Sequence, residues 1–173
     1  MSKSLGVDQS FTATAWVLLD SETDVIVEGV IQTDKSDTLM ERSQQICSEL
    51  GDVLVYNKPD IFSIEGLSYG SLGNATRNLA VLFGHIQSLC YDFEYLEGTN
   101  NWIETPATSL KKFATGNGKA DKKMMLESLP VDFKEYLKLN YKGSGKNKGL
   151  YDIPDAYWLA AKGLEVLKNE DSP

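Results

Sequence analysis

One histidine and two cysteines are all that 173 residues offer in imidazole and thiol chemistry. His85 lies inside the apolar stretch Leu79-Ala80-Val81-Leu82-Phe83-Gly84-His85-Ile86, where a packed helix residue is expected. Hydrolases built around a histidine base therefore have little support. Cys47 and Cys90 are isolated, without metal-ligand spacing, and read as reduced, mostly buried thiols. No apolar run approaches the ~20 residues of a membrane-spanning helix. The segment Met1-Ser2-Lys3-Ser4-Leu5-Gly6-Val7-Asp8 enters a strand directly, with no signal-peptide pattern, so a cytoplasmic protein with no membrane partner is expected. Length, 42% hydrophobic and 24% charged residues suit one soluble domain with its own core.

The chain is not short of acid. Its net charge is −8, but the charge is unevenly spread. Residues 1–110 carry 5 Lys/Arg against 16 Asp/Glu, whereas residues 111–148 carry 10 Lys against 4 Asp/Glu. A basic block thus sits on an acidic body, and local field rather than total charge decides whether a polyanion can dock.

Four carboxylates occupy unusual places. Asp8 ends the apolar run Leu5-Gly6-Val7-Asp8, and Glu65 ends Ile61-Phe62-Ser63-Ile64-Glu65. Strands favour branched and aromatic residues over Asp and Glu, so such endings need a reason. Asp152 and Asp155 open an apolar helix three residues apart and therefore share a face. Taken alone, that pair also suits an N-terminal cap, with Pro154 in the first turn. With Asp8 and Glu65 the set points to metal chemistry. Phosphodiester hydrolysis can be run by two Mg²⁺ ions bound through oxygen ligands, and needs neither His nor Cys.

The coarse pattern places these groups together. Residues 3–8, 12–20 and 25–31 read as an antiparallel meander. A helix follows, capped by Ser36 or Asp37, then a fourth strand over 60–65, a helix over 74–90 and a fifth strand over 91–96. Strand–helix–strand alternation makes strands 1, 4 and 5 parallel. The expected fold class is α/β: a five-stranded mixed sheet flanked by helices, with strand 1 central beside strand 4. Short helices are expected from Thr105-Pro106 and over 119–129. Residues 130–149 read as a basic, flexible insertion carrying Lys138, Lys142, Lys146 and Lys148, ahead of a final helix over 152–168.

In order along the chain, four segments resemble the RuvC family of Holliday junction resolvases, within the RNase H-like superfamily. They are Gly6-Val7-Asp8-Gln9-Ser10-Phe11-Thr12, Ile64-Glu65 with Arg77-Asn78-Leu79-Ala80, Leu110-Lys111-Lys112 through Gly116-Asn117-Gly118-Lys119-Ala120-Asp121-Lys122, and Asp152-x-x-Asp155-Ala156. The resemblance implies a homodimeric endonuclease that nicks branched DNA symmetrically at a four-way junction. It implies two Mg²⁺ ions, with Mn²⁺ as substitute, held by Asp8, Glu65, Asp152 and Asp155 as catalytic carboxylates. Lys111 and Lys122 become active-site or phosphate-contacting lysines, with Lys112, Lys119, Lys123, Lys142, Lys146 and Lys148 as further DNA contacts. The family's aromatic wedge falls near Ser68 and Tyr69, which makes Tyr69 a candidate stacking residue. The insertion and the acidity fit a divergent, bacteriophage-type member, for which a broader nuclease on flaps, Y-forms and forks is the alternative.

Three other readings fit less well. An actin-like ATPase wants Gly where Ser10 stands and needs two such domains. A proofreading exonuclease wants Glu at position 10. A non-cleaving DNA-binding module would have no use for four carboxylates.

Overall fold

The computed structural model describes residues 2–23, 26–67, 73–95 and 101–170. Strand β1 (Lys3–Asp8) is apolar or small and buried from Ser4 to Val7, and it takes the centre of a five-stranded sheet ordered β3-β2-β1-β4-β5. On one side β1 pairs antiparallel with β2 (Ala13–Asp20), which pairs antiparallel with β3 (Ile26–Gln32). On the other it pairs parallel with β4 (Ile61–Glu65), and β4 with β5 (Trp102–Thr105). The expected mixed sheet, with strand 1 beside strand 4, is what forms.

Alternation along β1 divides its side chains between two cores. Leu5 and Val7 face α1 (Leu39–Asn57) and α2 (Asn74–Asp92), where Ile46, Leu50, Phe62, Ile64, Leu82 and Ile86 are buried with them. Each fully buried side chain of this size contributes roughly 1.5–3 kcal/mol of transfer free energy. Ser4, Gly6 and Asp8 face the opposite way, towards α6 (Ile153–Glu170). There Ala15, Val17 and Leu19 of β2 pack with Ile153, Ala156 and Ala160. A Cβ at Gly6 would run into the Ala156 carbonyl and the Ala160 amide, so α6 lies directly on β1. That close approach requires glycine.

Several boundaries differ from the sequence pattern. The cap of α1 is Thr38, not Ser36 or Asp37: its hydroxyl accepts from Glu41 N while Glu41 Oε2 accepts from Thr38 N. This Thr-x-x-Glu capping box satisfies two amide donors at once, which a lone Ser or Asp cannot do. The fifth strand is not at 91–96. Helix α2 runs on to Asp92 because Ile86 and Cys90 continue its buried face, and Tyr95 closes the turn by donating to the Pro59 carbonyl at 2.6 Å. The strand forms later, where Trp102 stacks on Phe62 with centroids 5.3 Å apart.

Pro106 caps α3 (Ala107–Thr115), and Asp121 caps α4 (Lys122–Glu127) by accepting from Met124 N at 2.8 Å. Within the segment read as a flexible insertion, residues 131–140 form helix α5 (Val131–Asn140), whose Phe133 and Leu137 are buried at i, i+4. Residues 141–149 remain a loop, closed by a bridge between Lys142 and Lys148.

Candidate functional site

Asp8 and Glu65 come together because their strands are parallel neighbours in register. Val7 pairs with Ile64, and each carboxylate is the next residue at the C-terminal end of its strand. Both are half-buried. Asp8 follows Ser4 and Gly6 on the α6 face, and Glu65 follows Ile61 and Ser63 on the same face.

Helix α6 supplies the other pair. Asp152 precedes its first residue and is held by backbone bonds: its N–H donates to the Gly149 carbonyl at 3.0 Å, and its own carbonyl accepts from Ala156 N at 3.3 Å. Its side chain is only 8% exposed. Lys122 Nζ donates to Asp152 Oδ1 at 2.9 Å, and Lys148 Nζ stands 3.8 Å from Oδ2. Asp155 lies in the first turn of α6, where an acidic side chain also complements the helix dipole.

The electrostatics tie the four together. Burial raises the Asp8 carboxyl well above the usual carboxylate range, and repulsion from Asp155, Glu65 and Asp152 raises it further against the pull of Lys122. Burial and then Glu65 push Asp155 up to about 7, opposed by Lys122 and Lys111. Glu65 is raised by burial, with Lys111 and Lys122 pulling it back. At Lys122, burial favours the neutral amine, but the hydrogen bond to Asp152 and the charges of Asp152, Asp8 and Asp155 prevail and raise it. Residues far apart in sequence thus share one local field.

The donor set suits a hard divalent cation: carboxylate oxygens only, two of them, Asp152 Oδ2 and Asp155 Oδ1, buried without a hydrogen-bond donor. Among the described residues no three acidic, His or Cys side chains are drawn into a ready-made cation cage. Lys122 and Lys148 supply compensating positive charge at Asp152.

The sequence-predicted lysines divide by position. Lys122 at the start of α4 and Lys148 in the 141–149 loop reach Asp152, and Lys111 on α3 lies near enough for its charge to act on Glu65 and Asp155. Lys112, Lys119 and Lys123 lie exposed on α3, α4 and their connection, and Lys142 and Lys146 lie exposed on the loop. Tyr69 lies outside the described residues. Gln9 joins the site without having been expected from sequence. It is buried, its Nε2 donates to the Glu65 carbonyl at 3.2 Å, and it ties the end of β1 to the end of β4. Its position directly after Asp8 is the only sequence signal for that role.

No family model matches the chain. A curated relative, the crossover junction endodeoxyribonuclease RuvC of Ehrlichia ruminantium (strain Welgevonden), is 31% identical over 178 residues, spanning 95% of this chain and 97% of that protein. Among solved structures, Thermus thermophilus RuvC in complex with a Holliday junction substrate superposes with a TM-score of 0.73 at 14% identity, covering 98% of this chain and 97% of the other. The yeast mitochondrial Holliday junction resolvase Ydc2 gives 0.64 at 15% identity, covering 98% and 82%. The structural likenesses establish the shared fold. With the sequence match over nearly the full length of both proteins, the chain belongs to the RuvC family of crossover junction endodeoxyribonucleases.

Proposed function

We propose that the chain is a metal-dependent endonuclease that resolves four-way DNA junctions by hydrolysing phosphodiester bonds, with Asp8, Glu65, Asp152 and Asp155 as its metal-binding carboxylates. The observation that carries this reading is the placement of those four groups, at the neighbouring ends of β1 and β4 and at the start of α6, which lies directly on β1. Bound there, divalent cations would activate a water and stabilise the leaving oxygen.

This chain's own residues prepare that chemistry. The β1–β4 register and the seat of α6 on Gly6 fix where the carboxylates stand before substrate arrives. Gln9 limits how far the two strand ends can separate. Lys111 and Lys122 neutralise phosphate oxygens brought close to the carboxylates, and Lys122 holds Asp152 until then. The exposed lysines of 112–123 and 142–148 contribute salt-sensitive phosphate contacts.

Mg²⁺ is the expected ion, with Mn²⁺ as substitute, because the ligands are hard oxygens. We further propose a homodimer, as two symmetric nicks require two sites, with α2 as its interface. Exposed Val81 and Tyr91 on that helix are consistent with this placement.

The test is cleavage of a labelled four-way junction beside linear duplex and a flap, with Mg²⁺ and with EDTA. Paired nicks in the junction alone, only with metal, are expected. Equal cutting of the flap would replace the junction resolvase by a general branched-DNA nuclease. Binding without cutting would overturn the mechanism. Light scattering of the free protein at micromolar concentration tests the dimer.

A further inference from the structure

Beside the carboxylates lies a polar groove of about 490 Å³ between β3, α5 and the 141–149 loop. Lys148 belongs to both places: it lines the groove, and its Nζ is 3.8 Å from Asp152 Oδ2. The groove is therefore one lysine side chain from the point where a phosphate would be cut.

Its walls have the chemistry of a nucleotide site. Tyr136 and Tyr141 both donate to Glu28 Oε1, at 2.7 and 3.1 Å, so their hydroxyls are anchored and their rings held in place. Tyr136 is 43% exposed and offers a stacking surface. Gln32 Nε2 donates to the Lys148 carbonyl at 3.3 Å, and Asn140 Nδ2 to the Tyr136 carbonyl at 2.8 Å. Each amide keeps its oxygen and a second N–H for a ligand. A fixed aromatic ring, two anchored amides and an adjacent ammonium match the stacking face, hydrogen-bonding edge and phosphate of one nucleotide.

We propose that this groove receives an unstacked base of the DNA strand next to the scissile phosphate, and that it sets a base preference at that one position. The inference rests on the junction-nuclease reading. It deepens that reading by assigning sequence selectivity to Tyr136 and Asn140 rather than to the carboxylates or the basic face.

The experiment uses the full chain and a synthetic four-way junction carrying 2-aminopurine at successive positions around the nick, in EDTA so that nothing is cut. One position is expected to change emission at least about twofold on binding. Tyr136→Ala and Asn140→Ala should abolish that change, whereas Tyr136→Phe, which keeps the ring, should retain it. Melting curves close to wild type confirm that the variants are folded. In parallel, cleavage of junctions randomised around the cut should show a preference of roughly tenfold at that position, flattened in Asn140→Ala.

An emission response identical in all variants overturns the subsite, as does equal loss in Tyr136→Phe and Tyr136→Ala. If the wild type neither binds nor cuts the junction, the resolvase reading itself fails. If it binds and cuts while the variants keep the wild-type profile, only the subsite fails.

Discussion

Lys122 Nζ donates to Asp152 Oδ1 at 2.9 Å, joining the first residue of α4 to the residue just before α6. The lysine side chain is 63% exposed and the aspartate 8%, so a solvent-facing cation compensates a buried anion. Such a cation can be exchanged. With Asp152 holding a divalent cation, the Lys122 ammonium would be free to meet a phosphate.

Lys122→Ala should therefore impair cleavage far more than binding. Removal of one preorganised charge donor at a reacting centre costs about 10²–10³ in rate. Removing a single phosphate-neutralising lysine changes the salt slope by no more than about 1. Single-turnover cleavage of a saturating junction, set beside an EDTA binding isotherm, separates the two. A rate equal to wild type would remove Lys122 from the site.

Asp155→Asn should stabilise the metal-free protein while abolishing its cleavage. An ordinary aspartate titrates near 3.9, whereas Asp155 is pushed up to about 7 by burial and by Glu65. Between those values the folded protein holds a proton that the unfolded chain releases, so the wild type loses stability from this group as pH rises from about 4 to about 7. The Asn variant lacks that loss. Its melting advantage in EDTA should grow across this window and level off above it, at roughly 2–4 °C for each kcal/mol of charge burial and repulsion relieved. Divalent cations should raise the melting point of the wild type and leave the variant unmoved. A variant that melts below wild type at pH 8 in EDTA would contradict the buried, crowded carboxylate at position 155.

Much of this site is legible in the sequence because strand and helix periodicity are local properties. Asp8 and Glu65 stand out as acids ending apolar runs, and parallel pairing of strands 1 and 4 puts them side by side. The fifth strand is harder to place because Tyr91-Asp92-Phe93-Glu94-Tyr95 alternates like a strand, while the face that continues from Ile86 to Cys90 is settled only by packing against α1. Helix α5 is hidden by its lysines: Phe133 and Leu137 bury one narrow stripe, and the remainder reads as polar loop. Gln9 bonds a residue 56 positions away, through tertiary geometry that no spacing encodes, whereas the Lys148–Asp152 contact is local, four residues apart.

Replacing Lys142, Lys146 and Lys148 together by Ser should weaken junction binding and lower the slope of log affinity against log salt, by up to about 0.9 for each phosphate no longer neutralised. Lys138 does not belong in this set. It is engaged with Glu127 at 3.5 Å and Glu135 at 3.3 Å on the flank of α5, and Lys138→Ser should leave the slope alone. Titrations at several salt concentrations decide it. An unchanged slope in the triple variant would show that the loop does not meet the phosphate backbone.

Gly6 and Gly163 make opposite predictions despite lying on the same helix–strand contact. A Cβ at Gly6 would strike backbone atoms of Ala156 and Ala160, so α6 itself must move. Overpacking of this kind costs about 1–3 kcal/mol, and because α6 carries Asp155 and follows directly on Asp152, cleavage should fall further than stability alone explains. No trimming of a neighbouring side chain can repair a clash with backbone. A Cβ at Gly163 would instead meet chiefly the Ser4 hydroxyl, which is buried without a hydrogen-bond partner. Gly163→Ala should therefore destabilise alone and be largely rescued by Ser4→Gly, whereas Gly6→Ala should not be rescued by Leu159→Ala. Melting curves and single-turnover rates of the single and double variants test the contrast. Rescue of Gly6→Ala would mean that the helix is not seated on the β1 backbone, and the alignment of all four carboxylates would then need another cause.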